Sequence, residues 1–395
     1  MNSGFRCFVL AIGAFTVGTD GFVIAGLLPN LAASYKVSVP IAGQLVTAYA
    51  LSYALFSPFV AAFTCHLPKK NNLVAGLIIF AAANLMGGLC TDFALALILR
   101  GLAGLGAGIF TPNATAVAAE IVGPDRKNRA IATVMLGLSS ATAFGSPLGV
   151  LLAPIFGWRA IFIFITALAM CTVILILRLL PAMTPSSIPS FVERIRPLRT
   201  QKIALTLLST FLVLTGLYTT YTFSSLVFST ATAHRADRLA MLLSIWGIAA
   251  LFGSVVGRLA DRFGDRIVVN LALVCLFLNF FFLKATGSTL YGAGVGIMIW
   301  GICGWAFVIP QQHRLISVAP QIASILIGLH LMAVYFGTTF SAITGAMALH
   351  FMAPINLVLL SAAFVLCGLI VSEVANEIEK RQAKFPKPLA LFLPQ

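Results

Sequence analysis

Asp20 is the only charged residue between Arg6 and Lys36, inside the apolar run FVLAIGAFTVGTDGFVIAGLL. Arg100 is likewise the only charge between Asp92 and Glu120. A charged side chain at membrane depth costs roughly 2.5–3.5 kcal/mol on insertion scales, so each of these positions calls for a reason. One reason is proton chemistry. Burial opposes the charged form of a carboxylate and a nearby guanidinium favours it, so an acid moving between wet and closed surroundings can load and release a proton. Asp20 is the expected proton carrier and Arg100 its partner. The plain alternative is an acid paired for structural reasons within a helix bundle.

The elements that must hold these residues follow from composition. Of 395 residues, 60% are hydrophobic and 9% charged, with a mean hydropathy of +1.02. A soluble domain carries about 25% charged residues, so this is an all-α integral membrane protein. With about 20 apolar residues per crossing, the chain accommodates twelve transmembrane helices. The expected spans are 7–34, 42–65, 72–90, 94–120, 129–154, 160–180, 203–230, 239–259, 267–284, 289–312, 321–349 and 354–374. The first is too long, and too free of a small-residue cleavage site, to read as a signal peptide.

The net charge of +14 is scattered between apolar runs, which argues for topology and against nucleic acid. With the N-terminus inside, every Lys and Arg falls on the cytoplasmic side except Lys36, Arg159, Arg235, Arg238, Lys284 and the mid-span Arg100. Both termini are therefore expected in the cytoplasm of a multi-pass cell-membrane protein. The seven cysteines show no Cys-x-x-Cys or Cys/His spacing, so neither a disulfide framework nor a metal site is expected. No cofactor is expected, and catalytic patterns such as His-Glu-x-x-His, Gly-x-Ser-x-Gly or a nucleotide loop do not occur, which argues against an enzyme. A channel is disfavoured because the chain has no ring of repeated charges and no filter-like loop.

The stretch Pro181 to Lys202 combines four prolines with Arg194, Arg196, Arg199 and Lys202 at the midpoint. It divides the chain into an N-terminal six-helix bundle (1–180), a cytoplasmic linker (181–202), a C-terminal six-helix bundle (203–376) and a cytoplasmic tail (377–395). A shift of 198 positions places Gly18 on Gly216 and Pro112 on Pro310, so the bundles are expected to be pseudo-symmetric. A six-plus-six duplication is the architecture of secondary transporters, with the substrate site near the midplane between the halves.

Four segments carry a family resemblance. They are Gly18-Thr19-Asp20-Gly21-Phe22 through Pro29, Leu99-Arg100-Gly101 through Gly108, Gly145-Ser146-Pro147-Leu148-Gly149 with Gly157-Trp158-Arg159, and Gly257-Arg258-Leu259-Ala260-Asp261-Arg262-Phe263-Gly264-Asp265-Arg266. The chain resembles the major facilitator superfamily, and within it the twelve-helix drug:proton antiporters and bacterial exporters of sugars, nucleosides, arabinose-like compounds or chloramphenicol. The resemblance implies a monomeric, proton-coupled antiporter that exports a small organic solute or drug by alternating access, with protons and the lipid bilayer as its other partners. Two alternatives fit the same residues: a symporter or facilitator importing a nutrient, and a nonconducting receptor on this scaffold.

On that scaffold the cavity is expected to be lined by Ile24, Tyr49, Tyr53, Asn113, Tyr218, Tyr221, Trp246 and Trp305. Aromatic groups with few polar ones suit an amphipathic solute, although each ring can equally be packing or an interfacial anchor. Gly145, Pro147 and Gly149 are expected to shape a close helix contact that gates the conformational change. Arg258, Asp261 and Arg262 are expected to latch one conformation. The corresponding stretch CHLPKKNN lacks the acid and the glycines, so a latch is expected in one half only. Many family members carry a glutamate where this chain has Gly21. His330 is a further titratable candidate, or a histidine bonded within the bundle.

Overall fold

A computed structural model describes residues 3–63, 67–123, 126–181, 183, 191–257 and 260–384. The chain forms twelve helices long and apolar enough to cross a membrane. Helices are the expected answer in lipid, because each satisfies its own backbone polar groups where no water can.

The first six are α1 (Ser3–Tyr35), α2 (Gln44–Phe63), α3 (Lys69–Leu89), α4 (Phe93–Val122), α5 and α6 (Trp158–Leu179). α5 is continuous but composite, with a π-helical turn at Ala141–Gly145 between the α-helical pieces Lys127–Ser140 and Ser146–Phe156. The second six are α7 (Gln201–Thr222), α8 (Ala236–Gly257), α9 (Asp265–Thr286), α10 (Leu290–Val318), α11 (Ala323–Ala348) and α12 (Leu357–Lys384).

Local chemistry sets several ends. Asp92 caps α4 by accepting from the Leu95 amide at 2.7 Å, and Thr289 caps α10 through the Gly292 amide at 3.1 Å. The turn before α9 uses Gly264 at φ 85°, a conformation only glycine adopts without strain. α7 stops at Thr222, short of the expected 230, and two short helices, Ser224–Val227 and Ser229–Thr232, follow. There the Ser229 and Thr232 hydroxyls bond backbone carbonyls and compete with a continuous helix. α10 and α12 run beyond their expected ends, α12 to Lys384, where the sequence turns polar but keeps good helix formers.

The two sets of six repeat one packing scheme. α1 lies on α5 and α6 as α7 lies on α11 and α12; α2 and α3 lie on α4 as α8 and α9 lie on α10; α3 meets α6 as α9 meets α12. The halves meet along α2 with α11, α5 with α8, and α1 with the end of α7 and the short helix after it. Glycine permits the approaches that matter most. A Cβ on Gly104 of α4 would lie 2.2 Å from the Tyr49 carbonyl oxygen of α2, so the two backbones touch one turn below Arg100.

At the end of the bundle that carries most of the basic residues, both halves are clasped. Lys69 at the start of α3 pairs with Glu120 at the end of α4. The Lys70 ammonium donates to the Leu177 and Leu180 carbonyls at the end of α6, at 2.8 and 2.7 Å. In the second half His313 Nδ1 lies 2.8 Å from Asp265, joining α10 to α9, and Arg266 of α9 pairs with Glu373 of α12. Asn270 and Asn376 each donate to Glu373 at 2.7 Å. Lysines reaching carbonyls and an acid do in one half what a His-Asp and an Arg-Glu pair do in the other, so the two clasps share no motif. Of the expected latch residues, Arg258 and the Asp261 side chain lie outside what is described. Arg262 places its guanidinium 5.3 Å over the Phe263 ring.

Candidate functional site

Asp20 faces α4 from the middle of α1. Arg100 Nη1 donates to both carboxylate oxygens, each at 2.8 Å. Asp20 is fully enclosed and Arg100 is 4% exposed. A buried ion pair is tolerable only when its members satisfy each other, and this contact does that for the carboxylate. The guanidinium is also held from one face, with its carbon 4.5 Å from the centre of the Tyr49 ring. Tyr49 donates its hydroxyl to the Val17 carbonyl at 3.4 Å, tying α2 to α1 one turn before Asp20. Arg100 Nε has no acceptor among the described residues, so the cation keeps unspent donor capacity.

The next position along α1 faces a different partner. A Cβ on Gly21 would lie 3.6 Å from the Tyr49 ring and 3.7 Å from its hydroxyl. Position 21 therefore looks at Tyr49 while position 20 looks at Arg100, and both belong to the same contact between α1, α2 and α4.

A second cluster sits across the halves. Phe22 of α1 stacks on Tyr218 at 6.4 Å, meets Tyr221 edge-on at 5.9 Å and lies 6.0 Å from Trp246. Tyr221 and Trp246 are 4.6 Å apart, and Trp300 of α10 lies 5.8 Å from Trp246. The Tyr221 hydroxyl donates to the Phe22 carbonyl at 3.3 Å and lies 3.4 Å from Ser146 Oγ, which itself donates to that carbonyl at 3.2 Å.

The Gly145-Ser146-Pro147-Leu148-Gly149 segment makes this junction possible. A Cβ on Gly145 would stand 2.1 Å from Thr19 Oγ1, and one on Gly149 would stand 2.2 Å from Val23. The glycines press α5 onto α1 on either side of Phe22, and the buried Pro147 follows the π turn. The inserted residue of that turn brings Ser146 round to meet α7 of the other half.

The remaining candidates scatter. Tyr53 stacks on Tyr335 of α11 with centroids 3.6 Å apart, a contact between the halves. Ile24 is fully buried in the core. Asn113 is half-buried and donates to the Ile109 carbonyl of its own helix at 2.7 Å. Trp305 is half-buried and packs near Gly253 of α8, apart from the cluster; Trp300 takes the place expected for it. Gly296, Trp300, Gly304 and Phe307 form the buried face of α10 in the fold, and Trp305 is off that face. His330 is buried, and neither ring nitrogen has a partner among the described residues. Phe22, Ser146 and Tyr335 were not expected as site residues.

Known proteins place this arrangement. Residues 10–342 match the family model described as Major Facilitator Superfamily. The chain is 28% identical over 348 residues to the inner membrane transport protein YdhP of Escherichia coli K12, covering 87% of this chain and 89% of that one. It is 31% identical over 261 residues to a chloramphenicol resistance protein of Streptomyces lividans, covering 65% and 66%. Its fold matches the crystal structure of a bacterial homolog of the human lysosomal transporter Spinster in an inward-facing, unoccupied conformation. The TM-score is 0.73 over 97% of both chains, at 16% identity. With twelve spans in two repeated sets of six, this multi-pass membrane protein is a transporter and not an enzyme, and the chain belongs to the Major Facilitator Superfamily.

Proposed function

We propose that this transporter is a proton-coupled antiporter that exports a small organic solute, with Asp20 as proton carrier and Arg100 as its partner. The observation that carries the reading is the enclosed Asp20–Arg100 pair. With Asp20 ionised the pair is neutral overall. Protonation leaves Arg100 beneath Tyr49 without a counter-ion, so the proton changes the charge of the site by one and with it the stability of this packing. One charge moving down 100 mV supplies about 2.3 kcal/mol, roughly a fifty-fold concentration ratio per proton.

In this reading the bundles 1–180 and 203–376 rock about the α2–α11 and α5–α8 seams, joined by the linker 181–202, with the tail 377–395 and the N-terminus in the cytoplasm. A single chain suffices, because carrier, partner and aromatic cluster all belong to it. Ile24, Tyr49, Tyr53, Tyr218, Tyr221 and Trp246 are the proposed substrate contacts, and Gly145, Pro147 and Gly149 the moving joint. Export as the direction draws on the Streptomyces lividans relative, named for chloramphenicol resistance. The test is solute flux in proteoliposomes under an imposed pH gradient, with wild type and Asp20→Asn. Proton movement opposite to the solute, lost in Asp20→Asn while solute exchange persists, supports antiport; co-directional movement identifies a symporter, and flux indifferent to pH a facilitator.

A further inference from the structure

Two tryptophan N–H groups at the junction of the halves have nothing to bond. Nε1 of Trp246 and Nε1 of Trp300 are buried and without an acceptor among the described residues, on rings 5.8 Å apart. Buried polar groups are bonded in the great majority of native sites, and tryptophan N–H normally finds a partner when enclosed. If the cluster served packing alone, phenylalanine would fill it without stranding a donor. The Tyr221 hydroxyl, which donates to the Phe22 carbonyl and lies beside Ser146, accepts from neither indole.

Phe22 is the one ring of this cluster that comes from the first half, lying 6.0 Å from Trp246. When the halves move apart it is the ring that leaves, and the face it covers is made of Tyr218, Tyr221 and Trp246, with Trp300 packed against Tyr221 and Trp246. That face holds two unspent donors and no carboxylate or ammonium group. We propose that it is a ligand subsite, kept shut by Phe22 in this conformation, for a flat, uncharged ring compound with acceptor oxygens, such as a lactone, quinone or nitroaromatic. The indole N–H groups bond the acceptors while the aromatic faces stack on the ring. A polyhydroxylated sugar would bring donors that these indoles cannot accept, and a cation would find no counter-charge in the cluster. This substrate class rests on the transporter reading above, but not on proton coupling.

The experiment uses full-length protein in lipid nanodiscs with 15N-indole tryptophan, whose four tryptophans report as four N–H resonances. Trp246→Phe and Trp300→Phe assign the two signals and retain the aromatic surface. Three probes of one outline are titrated: coumarin, neutral with a lactone acceptor; naphthalene, without an acceptor; and N-methylquinolinium, a cation. Coumarin is expected to move the Trp246 and Trp300 protons downfield saturably, leave Trp158 and Trp305 in place, and bind roughly tenfold more tightly than naphthalene. Either Phe substitution should erase that preference and spare naphthalene binding. Equal binding of coumarin and naphthalene, tightest binding of N-methylquinolinium, no saturable shift, or resting signals already bonded to water would each overturn the proposal. The wild-type comparison stands even if a Phe variant does not fold. Asp20→Asn separates the two readings: it should abolish proton movement and leave the coumarin preference intact.

Discussion

Gly247 of α8 lies backbone to backbone against Ala143 in the π turn of α5: a methyl group at 247 would stand 2.3 Å from the Ala143 Cα. No side chain can yield there, so the two halves touch through backbone alone at this point. The same turn presents Ser146 to Tyr221, so the contact and the aromatic junction share one local irregularity.

Gly247→Ala is therefore expected to wedge the α5–α8 seam and lower transport by at least roughly tenfold, with a stability loss of about 1–3 kcal/mol from overpacking. Flux and thermal unfolding in detergent check it. Unchanged flux would mean that this seam opens freely during transport.

Removing one member of the Asp20–Arg100 pair strands a buried charge. Asp20→Asn or Arg100→Gln should each destabilise the protein by about 3–5 kcal/mol, whereas the double variant should recover most of that loss without recovering proton-coupled flux. A double-mutant cycle of unfolding free energies gives the coupling. Additive losses would show that the pair is not energetically linked.

Tyr49 acts on Arg100 through its ring face, and its hydroxyl makes a long contact of 3.4 Å. Tyr49→Phe should keep most of the activity, and Tyr49→Leu should lose about 1–2 kcal/mol of stability together with coupled flux. Equal losses in the two variants would shift the weight to the hydroxyl.

The clasps at the basic end are partly solvent-exposed, and exposed pairs contribute about 0–1 kcal/mol. Arg266→Gln should therefore leave the unfolding temperature nearly unchanged, while loosening α9 from α12 and raising thiol-reagent access at an introduced Asn270→Cys. Access that does not change on Arg266→Gln would assign the clasp to topology alone.

Lys70→Met should loosen α3 from the end of α6 in the same way, because its ammonium is the donor to two helix-end carbonyls. Hydrogen exchange at the end of α6 should rise by roughly three- to tenfold, with the end of α12 unaffected. An equal rise in both halves would show that the clasps are coupled across the linker.

Legibility differed residue by residue. Asp20 and Arg100 could be read directly, since a charge inside an apolar run is visible without knowing the fold, although nothing local showed that 80 positions of chain close so that one guanidinium nitrogen reaches both carboxylate oxygens. Trp305 and Trp300 differ by five residues, hence by about 140° around a helix; Trp305 packs near Gly253 of α8, and Trp300 meets Trp246 and Tyr221. The clasp in the first half was hidden because lysines reaching carbonyls share no motif with Arg266 and Glu373.

The chain by itself determined its solvent, its twelve crossings and its two repeated sets of six, because apolar length is a local property matched to the thickness of a bilayer. It also determined which charges had to be explained. The tertiary structure alone decided which way each helix is turned. A helix apolar all round carries no stripe to mark its inward face, so rotation is set by close glycine contacts and polar pairs between helices distant in sequence. That is why the meeting of Asp20 with Arg100, the seating of Phe22 among the rings of the other half, and the π turn that delivers Ser146 to Tyr221 emerge only in the folded molecule.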